Sequence, residues 1–255
     1  MTNIKFNKNI IKKYDINCPR YTSYPTTIKF NQFTKKYKIK KIFNIDKHPL
    51  SIYIHIPFCA NLCYYCACNK IITKDKNYSD YYIFFLKKEI KLKKLYLNYI
   101  NKVEQIHFGG WTPTFFTQKQ LIKLITIIKK YFNIKNISSN SIEIDPRNFY
   151  FSYITLLKNI GINQISIGVQ DLNKKTQKII NRIQTKKETY NIINKIKKEN
   201  FSSINIDLIY GLPKQTKKSI NQTIRKILKL NPNRITLFNY AHIPNKFRSQ
   251  KKINF

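Results

Sequence analysis

The chain has 255 residues, and its 48 Lys and Arg against 12 Asp and Glu give a formal net charge of +36. Hydrophobic residues make up 42% of the sequence and aromatic residues 14%, which excludes a disordered chain, because such chains bury too little apolar surface to offset the entropy of ordering. No apolar run reaches the roughly 18 to 20 residues of a transmembrane helix, and the first residues lack the apolar core of a signal peptide. We therefore expect a folded, cytoplasmic protein with no membrane span.

Short apolar strands and amphipathic helices alternate along most of the chain. Residues 1–48 show no clean periodicity and are predicted to form an N-terminal arm with one short helix. From residue 49 to residue 255, the predicted strands are Ser51–Ile56, Gln105–Phe108, Ser141–Ile144, Gln164–Val169, Ser203–Ile209 and Arg234–Asn239. The helices predicted between them cover about residues 80–100, 118–132, 152–159, 173–181, 186–199 and 216–229. This alternation indicates an α/β fold with a parallel sheet, and six strand–helix units predict a partial (β/α)6 barrel of the TIM type.

Polar residues and glycines gather at the predicted carboxyl ends of these strands. Only five glycines are present, where a typical composition would give about 18, so we expect each of them to meet a backbone requirement. The residues at strand ends are Gly109, Gly110, Glu143, Asp145, Gln170, Asp171, Asp207 and Gly211. In barrels of this type the active site lies at that end, which predicts a functional site there.

Cys59, Cys63 and Cys66 form a CxxxCxxC motif directly after the first strand, and Cys68 follows closely. Disulfides are not expected in the cytoplasm, so the thiols are candidate metal ligands. Three thiolates on one loop suit a cubane iron–sulfur cluster that keeps one iron open for substrate. A zinc site with Cys68 as fourth ligand is the alternative, although a one-residue gap is tighter than usual zinc spacing.

The motifs together resemble a known family. CxxxCxxC after the first strand and GG-x-T-P after the second resemble the radical S-adenosylmethionine enzymes. The series PRYTSYPT, YIHIPFC, IEIDPR, GVQD, NIDLIYGLPKQT and FNYAHIP, spread in this order over about residues 14–248, is most similar to the oxygen-independent coproporphyrinogen III dehydrogenases. Cys68 and PRYTSYPT favour this group over the related haem chaperones.

The resemblance implies the ligands of two kinds of cofactor. Cys59, Cys63 and Cys66 would ligate a 4Fe-4S cluster, and Cys68 would stay unligated. One molecule of S-adenosylmethionine would contact Tyr53, Gly110 and Glu143. A second molecule would contact Tyr65, Trp111, Thr112, Gln170, Arg182, Asp207 and Ala241.

The resemblance also implies the reaction, which is the oxidative decarboxylation of two propionates of a porphyrinogen to vinyl groups during haem biosynthesis. The expected partners are the porphyrinogen, an electron donor for the cluster and an electron acceptor. Arg20 and Arg147 are candidates for propionate contacts, but for Arg147 a surface charge is the preferred interpretation. No catalytic side chain is assigned. His55, in the YIHIPFC segment, is a candidate for cofactor or substrate contact or, equally, for a packed structural role.

The sequence departs from the family pattern in two places. Trp111 stands where the motif has a third glycine, and we expect strain and crowding there to weaken S-adenosylmethionine binding. The chain also ends soon after the sixth predicted strand, where the family continues into a helical C-terminal domain. We therefore expect that domain to be absent and the last strand to be an open edge, in a truncated product or in a chain completed by a separate polypeptide.

The high positive charge leaves a third class of function to consider. Lys and Arg favour nucleic acids because their binding to phosphates releases counterions. Here the basic residues are mostly Lys, scattered along the chain and accompanied by many Ile and Asn, which share A- and T-rich codons. We interpret this as compositional drift and expect no nucleic-acid partner. The alternatives to the enzyme are a non-catalytic haem chaperone-like or cluster-binding remnant and, less favoured, a basic polyanion-binding protein.

Overall fold

The computed structural model describes residues 7–15, 49–97, 102–110, 112–147 and 149–253. The chain divides into two compact units, residues 1–42 and 43–255. The described part of the first unit holds helix α1, Lys8–Tyr14, which begins where the Asn7 side chain accepts hydrogen bonds from the backbone N–H groups of Asn9 and Ile10. The predicted arm over residues 1–48 lies mostly outside the described residues and stays a prediction, as does any contact of Arg20.

The second unit is built on a six-stranded, fully parallel sheet. In their order across the sheet, its strands are β1 Leu50–Ile56, β4 Lys102–Gly110, β5 Asn133–Ile144, β6 Gln164–Gln170, β7 Ser203–Tyr210 and β8 Arg234–Asn239. Two short strands, β2 Phe58–Cys59 and β3 Ile71–Ile72, pair separately. The helices are α2 Asn77–Tyr96, α3 Gln118–Tyr131, α4 Phe151–Asn159, α5 Lys174–Ile179, α6 Lys186–Lys198 and α7 Lys217–Leu228, with 3₁₀ turns at Pro113–Phe115 and Arg248–Lys252.

The two faces of the sheet differ in character. On β6, Ile165, Ile167 and Val169 are buried in the main hydrophobic core together with apolar side chains of the helices. The alternate residues lie on the other face, where Gln164, Ser166 and Gln170 are polar and Gly168 has no side chain. There, Ser166 donates a hydrogen bond to Asp207 of β7 at 2.9 Å, and Asn205 donates to Ser166 at 2.8 Å. The period of two along the strand therefore places the apolar core on one face of the sheet and polar side chains on the other.

Three crossover helices begin with a reciprocal cap. The Thr side chain at each N-cap accepts from the backbone three residues later, and that residue's side chain bonds back, in the pairs Thr117 with Gln120, Thr185 with Glu188 and Thr216 with Ser219. Such a cap satisfies two N–H groups that the first turn leaves unpaired and contributes about 1 kcal/mol. The caps fix where the chain re-enters a helix after each strand end, and so help to set the loops around the site.

The structure confirms the predicted α/β partial barrel and its six main strands. β5 is longer than predicted, beginning at Asn133 instead of Ser141, because its first half carries Asn, Lys and Ser and lacks an apolar alternation. The β2–β3 pair was not predicted, since two residues are too short to show a period. Within the described residues the sheet is open, with β1 and β8 at its edges and Leu237 and Phe238 of β8 about half exposed. None of the helices described here has the length and apolar character to cross a membrane.

Candidate functional site

The carboxyl ends of the strands open onto a cavity of about 300 Å³. Seven residues that the sequence predicted as cofactor contacts line this cavity: Tyr53, Tyr65, Gly110, Glu143, Gln170, Arg182 and Asp207. They come from β1, the cysteine loop, β4, β5, β6, the loop after α5, and β7. A common edge of the sheet therefore gathers residues that are up to 154 positions apart in the sequence.

The cysteine loop over residues 57–72 is held by backbone hydrogen bonds at its base and its tip. At the base, the N–H of Ile71 donates to the carbonyl of Pro57 at 2.8 Å. At the tip, the N–H of Tyr64 donates to the carbonyl of Ile180 at 2.9 Å, and the Asn181 side chain donates to the carbonyl of Leu62 at 2.7 Å. The loop is thereby fixed across the strand ends, where Cys66 and Cys68 line the cavity.

The four cysteines of the loop differ in environment, and all are free thiols. Cys59 and Cys63 are buried, Cys66 is half-buried, and Cys68 is exposed. Burial raises the pKa of the Cys59 thiol above its ordinary value. A hydrogen bond between Cys66 and Cys68 lowers the pKa of Cys68 to about 7 and raises that of Cys66.

Asp145 is the centre of a buried ionic network behind Cys63. Its carboxylate accepts hydrogen bonds from Arg147 Nη2 at 2.6 Å and Arg182 Nη1 at 3.2 Å. Burial would raise the pKa of Asp145, but the two guanidinium groups outweigh it and hold that pKa below the ordinary value. Both arginines also donate to the sulfur of Cys63, Arg147 at 3.4 Å and Arg182 at 3.6 Å.

The preferred interpretation of Arg147 as a surface charge was therefore wrong. Its side chain is only 11% exposed, because the cysteine loop covers it and Asp145 pairs with it.

Gly168 makes room for the second arginine. Arg182 Nη2 donates to the carbonyl of Gly168 at 2.6 Å, and a Cβ at this position would lie 3.0 Å from both Arg182 Nη2 and Gln170 Nε2. A larger residue would push both side chains away from the strand end. The scarcity of glycine in this chain thus marks a real packing requirement at β6.

Glu143 lies two residues before Asp145 and has a more open environment. Its Oε2 accepts from the Gly110 N–H at 3.1 Å and its Oε1 is 3.3 Å from His107 Nε2. The Tyr53 ring stacks on His107 with centroids 5.6 Å apart. Gly110 has φ +116°, and a Cβ there would lie 2.6 Å from the carbonyl oxygen of Ile56, so glycine is required for this close approach.

Two groups in the cavity are left poised for a ligand. Gln170 adopts φ +68°, an uncommon conformation for a residue other than glycine, and its buried Oε1 has no hydrogen-bond partner in the described structure. Asp207 has a raised pKa, because burial and then the nearby charge of Glu143 disfavour its ionised form. Strain and unsatisfied polar atoms of this kind are typical of functional sites.

Of the other predicted contacts, Thr112 and Ala241 do not line this cavity. Thr112 instead donates to the sulfur of Cys59 at 3.7 Å and borders a second cavity of about 320 Å³. Ala241 is exposed, and its carbonyl accepts from Gln250 Nε2, which also bonds the Tyr65 carbonyl. Trp111 lies outside the described residues, so the expected effect of its indole stays a prediction.

This arrangement can be compared with known proteins. A family model described as the Radical SAM superfamily matches residues 53–227, which is more than half of the chain. The chain belongs to the radical SAM superfamily.

Individual relatives show which members of the superfamily the chain is similar to. Oxygen-independent coproporphyrinogen III oxidase of Pseudomonas aeruginosa is 44% identical over 257 residues, covering 98% of this chain and 56% of the relative. The solved structure of Escherichia coli coproporphyrinogen III oxidase, a radical SAM enzyme, is 37% identical with a TM-score of 0.87, and the match covers 98% of this chain and 56% of that one. Methylornithine synthase, at 12% identity and a TM-score of 0.55, shares the fold. The chain spans about half the length of the coproporphyrinogen oxidases that it matches.

Membership of the superfamily implies a 4Fe-4S cluster and S-adenosylmethionine as cofactors, and the donor set of the site fits them. Free thiols and two arginines suit a cluster, because N–H donors to sulfur stabilise thiolate charge. Among the described residues, no three His, Cys, Asp or Glu side chains converge to hold a single metal ion. In a cubane cluster each thiolate ligates a different iron atom. The unpartnered Gln170 oxygen suits a polar organic ligand.

Several residues that line the cavity were not predicted from the sequence as cofactor contacts. Asp145, Gly168, Cys68, Ile209 and Phe238 also line the cavity. His55 lines it too, with Nδ1 3.0 Å from the Tyr53 hydroxyl and Nε2 3.1 Å from the carbonyl of Asn69. The position of Asp145 just after a strand was a usable signal, but neither Ile209 nor Phe238 has a feature that separates it from core residues. The roles implied for all these side chains stay predictions.

Proposed function

We propose that this chain provides the radical SAM core of an enzyme that converts coproporphyrinogen III to protoporphyrinogen IX without oxygen. The observation that carries the proposal is the single cavity in which Gly110, Glu143, Gln170, Arg182 and Asp207 meet beside the CxxxCxxC loop. The 44% identity to a coproporphyrinogen III oxidase over nearly the whole chain supports the choice of substrate.

The reaction makes two vinyl groups from two propionates. For each one, a hydrogen atom leaves the β-carbon, and carbon dioxide and one electron then leave to form the alkene. The electron passes to an external acceptor. When bound, the cluster and S-adenosylmethionine supply the organic radical that takes the hydrogen atom, at the expense of one electron from a donor protein or reductant. The chain itself binds, orients and shields the reactants.

Three cysteines hold the cluster in this proposal. Cys59, Cys63 and Cys66 are its ligands, and Cys68 stays unligated. Support comes from the fixed loop and from the hydrogen bonds that stabilise charge on Cys63.

One S-adenosylmethionine contacts Tyr53, Gly110 and Glu143. The Glu143 carboxylate is only partly satisfied by one backbone N–H and His107, and its side chain is 36% exposed, so it can accept hydrogen bonds from the ligand's amino group or ribose. The His107 ring helps to fix the carboxylate, because its Nδ1 is 2.6 Å from the Ser141 hydroxyl.

A second S-adenosylmethionine contacts Gln170, Arg182 and Asp207, along with Tyr65, Trp111, Thr112 and Ala241. The Arg182 Nη atoms are already paired with Asp145, Cys63 and the Gly168 carbonyl, whereas the buried Nε has no partner among the described residues. The free Nε and the free Gln170 Oε1 are matched donor and acceptor for the carboxylate and amino groups of this ligand.

The partners follow from the chemistry. They are the porphyrinogen, an electron donor and an electron acceptor. We place the enzyme in the cytoplasm, a proposal supported by the four free cysteines of the loop, since reducing compartments keep thiols unpaired.

The test is anaerobic reconstitution of the chain with iron and sulfide, followed by incubation with S-adenosylmethionine, dithionite and coproporphyrinogen III. We expect formation of 5′-deoxyadenosine together with products that carry one or two vinyl groups, both measured by chromatography. Cys63→Ala serves as the negative control. Cofactor cleavage without decarboxylation contradicts the proposal. Stoichiometric haem binding in that case favours the chaperone-like alternative.

A further inference from the structure

Arg147 is held in an unusual position for an arginine that follows a strand. It lies two residues after Asp145, and its backbone N–H and Nε both donate to Asp145 Oδ1 at 3.0 Å. Its Nη2 donates to Oδ2 of the same carboxylate at 2.6 Å. These contacts fold the side chain back over the turn, in the bidentate geometry that makes Arg–carboxylate pairs strong and directional.

The same Nη2 atom reaches the sulfur of Cys63 at 3.4 Å, although the two residues are 84 positions apart in the sequence. The guanidinium group of Arg182 donates to the same sulfur and to Asp145, so the single Asp145 carboxylate balances two cations. A pair that only stabilised the fold would need one arginine. The second leaves a surplus positive charge against Cys63, with Asp145, Arg147 and Arg182 all about one-tenth exposed or less.

We propose that Arg147 raises the reduction potential of the cluster by its hydrogen bond to the sulfur of Cys63, and that Asp145 is the positioning residue that aims it. The inference rests on ligation by Cys63 under the proposed function. Reduction adds one negative charge to the cluster, and a nearby cation stabilises the reduced form more than the oxidised form. An N–H donor to sulfur acts in the same direction, since hydrogen bonds to the sulfurs set cluster potentials.

The test is a redox titration of the anaerobically reconstituted chain, with the reduced cluster measured by electron paramagnetic resonance. Arg147→Met removes both the charge and the N–H donors. At a fixed poised potential we expect the ratio of reduced to oxidised cluster to fall about tenfold, which is about 59 mV for a one-electron couple. Arg147→Gln keeps a polar partner for Asp145, and we expect a shift of the same sign.

The matched control is Arg225→Met, which removes the same charge from the exposed face of α7 and should leave the potential unchanged. Iron and sulfide content is measured for every variant. If Arg147→Met does not assemble the cluster, Arg147→Gln decides the question. A loaded Arg147 variant with the potential of Arg225→Met overturns the inference.

Two further outcomes separate this inference from others. If Arg147 instead contacts a substrate propionate, its variants raise the KM for the porphyrinogen without a change of potential, which contradicts our proposal. A shift of potential in a chain that does not decarboxylate the porphyrinogen supports the inference while the proposed function fails. A chain that binds no iron–sulfur cluster overturns both.

Discussion

Glu143 and Asp145 lie two residues apart at the carboxyl end of β5, but their carboxylates have opposite environments. Asp145 is saturated with hydrogen bonds from two arginines, and its side chain is only 9% exposed. Glu143 has one backbone N–H and one imidazole for four acceptor positions, and is 36% exposed. The Asp145 carboxylate is fully paired within the protein, whereas the Glu143 carboxylate keeps acceptor positions for a ligand.

The difference extends to the groups around them. Next to Asp145, two cations meet one carboxylate and the sulfur of Cys63, so positive charge is in excess. Around Glu143, the cavity contains Asp207, whose pKa is raised by burial and by Glu143 itself. One half of the site is therefore suited to a negatively charged cluster and the other half to the cationic, polar S-adenosylmethionine. Removal of a group near Asp145 should lower the stability of the protein or change the properties of the cluster. Removal of a group near Glu143 should weaken ligand binding.

The largest expected effect is on cluster assembly, and it separates Cys68 from the other three cysteines of the loop. Cys59→Ala, Cys63→Ala and Cys66→Ala should each abolish assembly of a four-iron cluster, because three thiolates are the minimum that leaves one iron open. Cys68→Ala should retain it, since Cys68 is the exposed cysteine of the loop and is not one of the three proposed ligands. Iron analysis and absorption spectra of the reconstituted proteins measure this. Equal loss in all four variants would show that the distinction is wrong.

The next effect concerns stability. Asp145→Asn leaves two buried guanidinium groups without their counter-charge, and we expect the free energy of unfolding at pH 7 to fall by about 3–5 kcal/mol. Because the two guanidinium groups hold the pKa of Asp145 below its ordinary value in the folded protein, we expect the full loss of stability at neutral pH. The loss should disappear only as the pH falls through that lowered pKa. Urea unfolding of the cluster-free chain measures it.

The control for this measurement is Glu143→Gln, the same acid-to-amide change two residues away. If both variants lose the same stability, the two carboxylates are not distinguished in the way we describe.

Glu143→Gln should instead weaken S-adenosylmethionine binding. The amide removes the charge that a cationic amino group favours, and we expect the Kd to rise about tenfold, within the range for a hydrogen bond to a charged group. Calorimetry on the reconstituted protein measures this, with cluster content checked to be equal. An unchanged Kd would remove Glu143 from the binding site.

The sequence predicted the Glu143 half of the site well and the Asp145 half poorly. Glu143, Gln170 and Asp207 lie at or near the carboxyl ends of apolar strands. Parallel strands bring these ends together, so the meeting of the three residues follows from local pattern alone. The same logic located the six strands, since Ile and Val alternate on β6 and the core face is unambiguous.

The network around Asp145 depends on contacts that no local pattern records. An arginine just beyond a strand end ordinarily faces water, and Arg147 is buried only because a loop 84 residues earlier packs over it. The positive φ of Gln170 could not be predicted from the sequence either, because glutamine has no special tendency toward that conformation. Thr112, itself a predicted cofactor contact, donates to the sulfur of Cys59 and borders the second cavity instead.

The smallest effect has the opposite sign to that at Asp145. Asp207→Asn should stabilise the chain by up to about 1 kcal/mol at pH 7.5, since a buried carboxylate kept for ligand binding costs stability. A raised folded-state pKa means that the ionised form is disfavoured, so the cost is absent below the unfolded pKa of about 3.9 and grows as the pH rises. The gain should therefore be smaller at pH 4.5 than at pH 7.5. The amide can donate to Ser166, which now donates to the carboxylate at 2.9 Å.

Asp171→Asn is the matched control for this prediction. Asp171 is fully buried and accepts hydrogen bonds from Thr223 at 2.6 Å and Gln215 at 2.8 Å, so the Asp171→Asn variant should lose stability. If Asp207→Asn also loses stability at pH 7.5, Asp207 belongs with Asp145 among the residues that complete the fold.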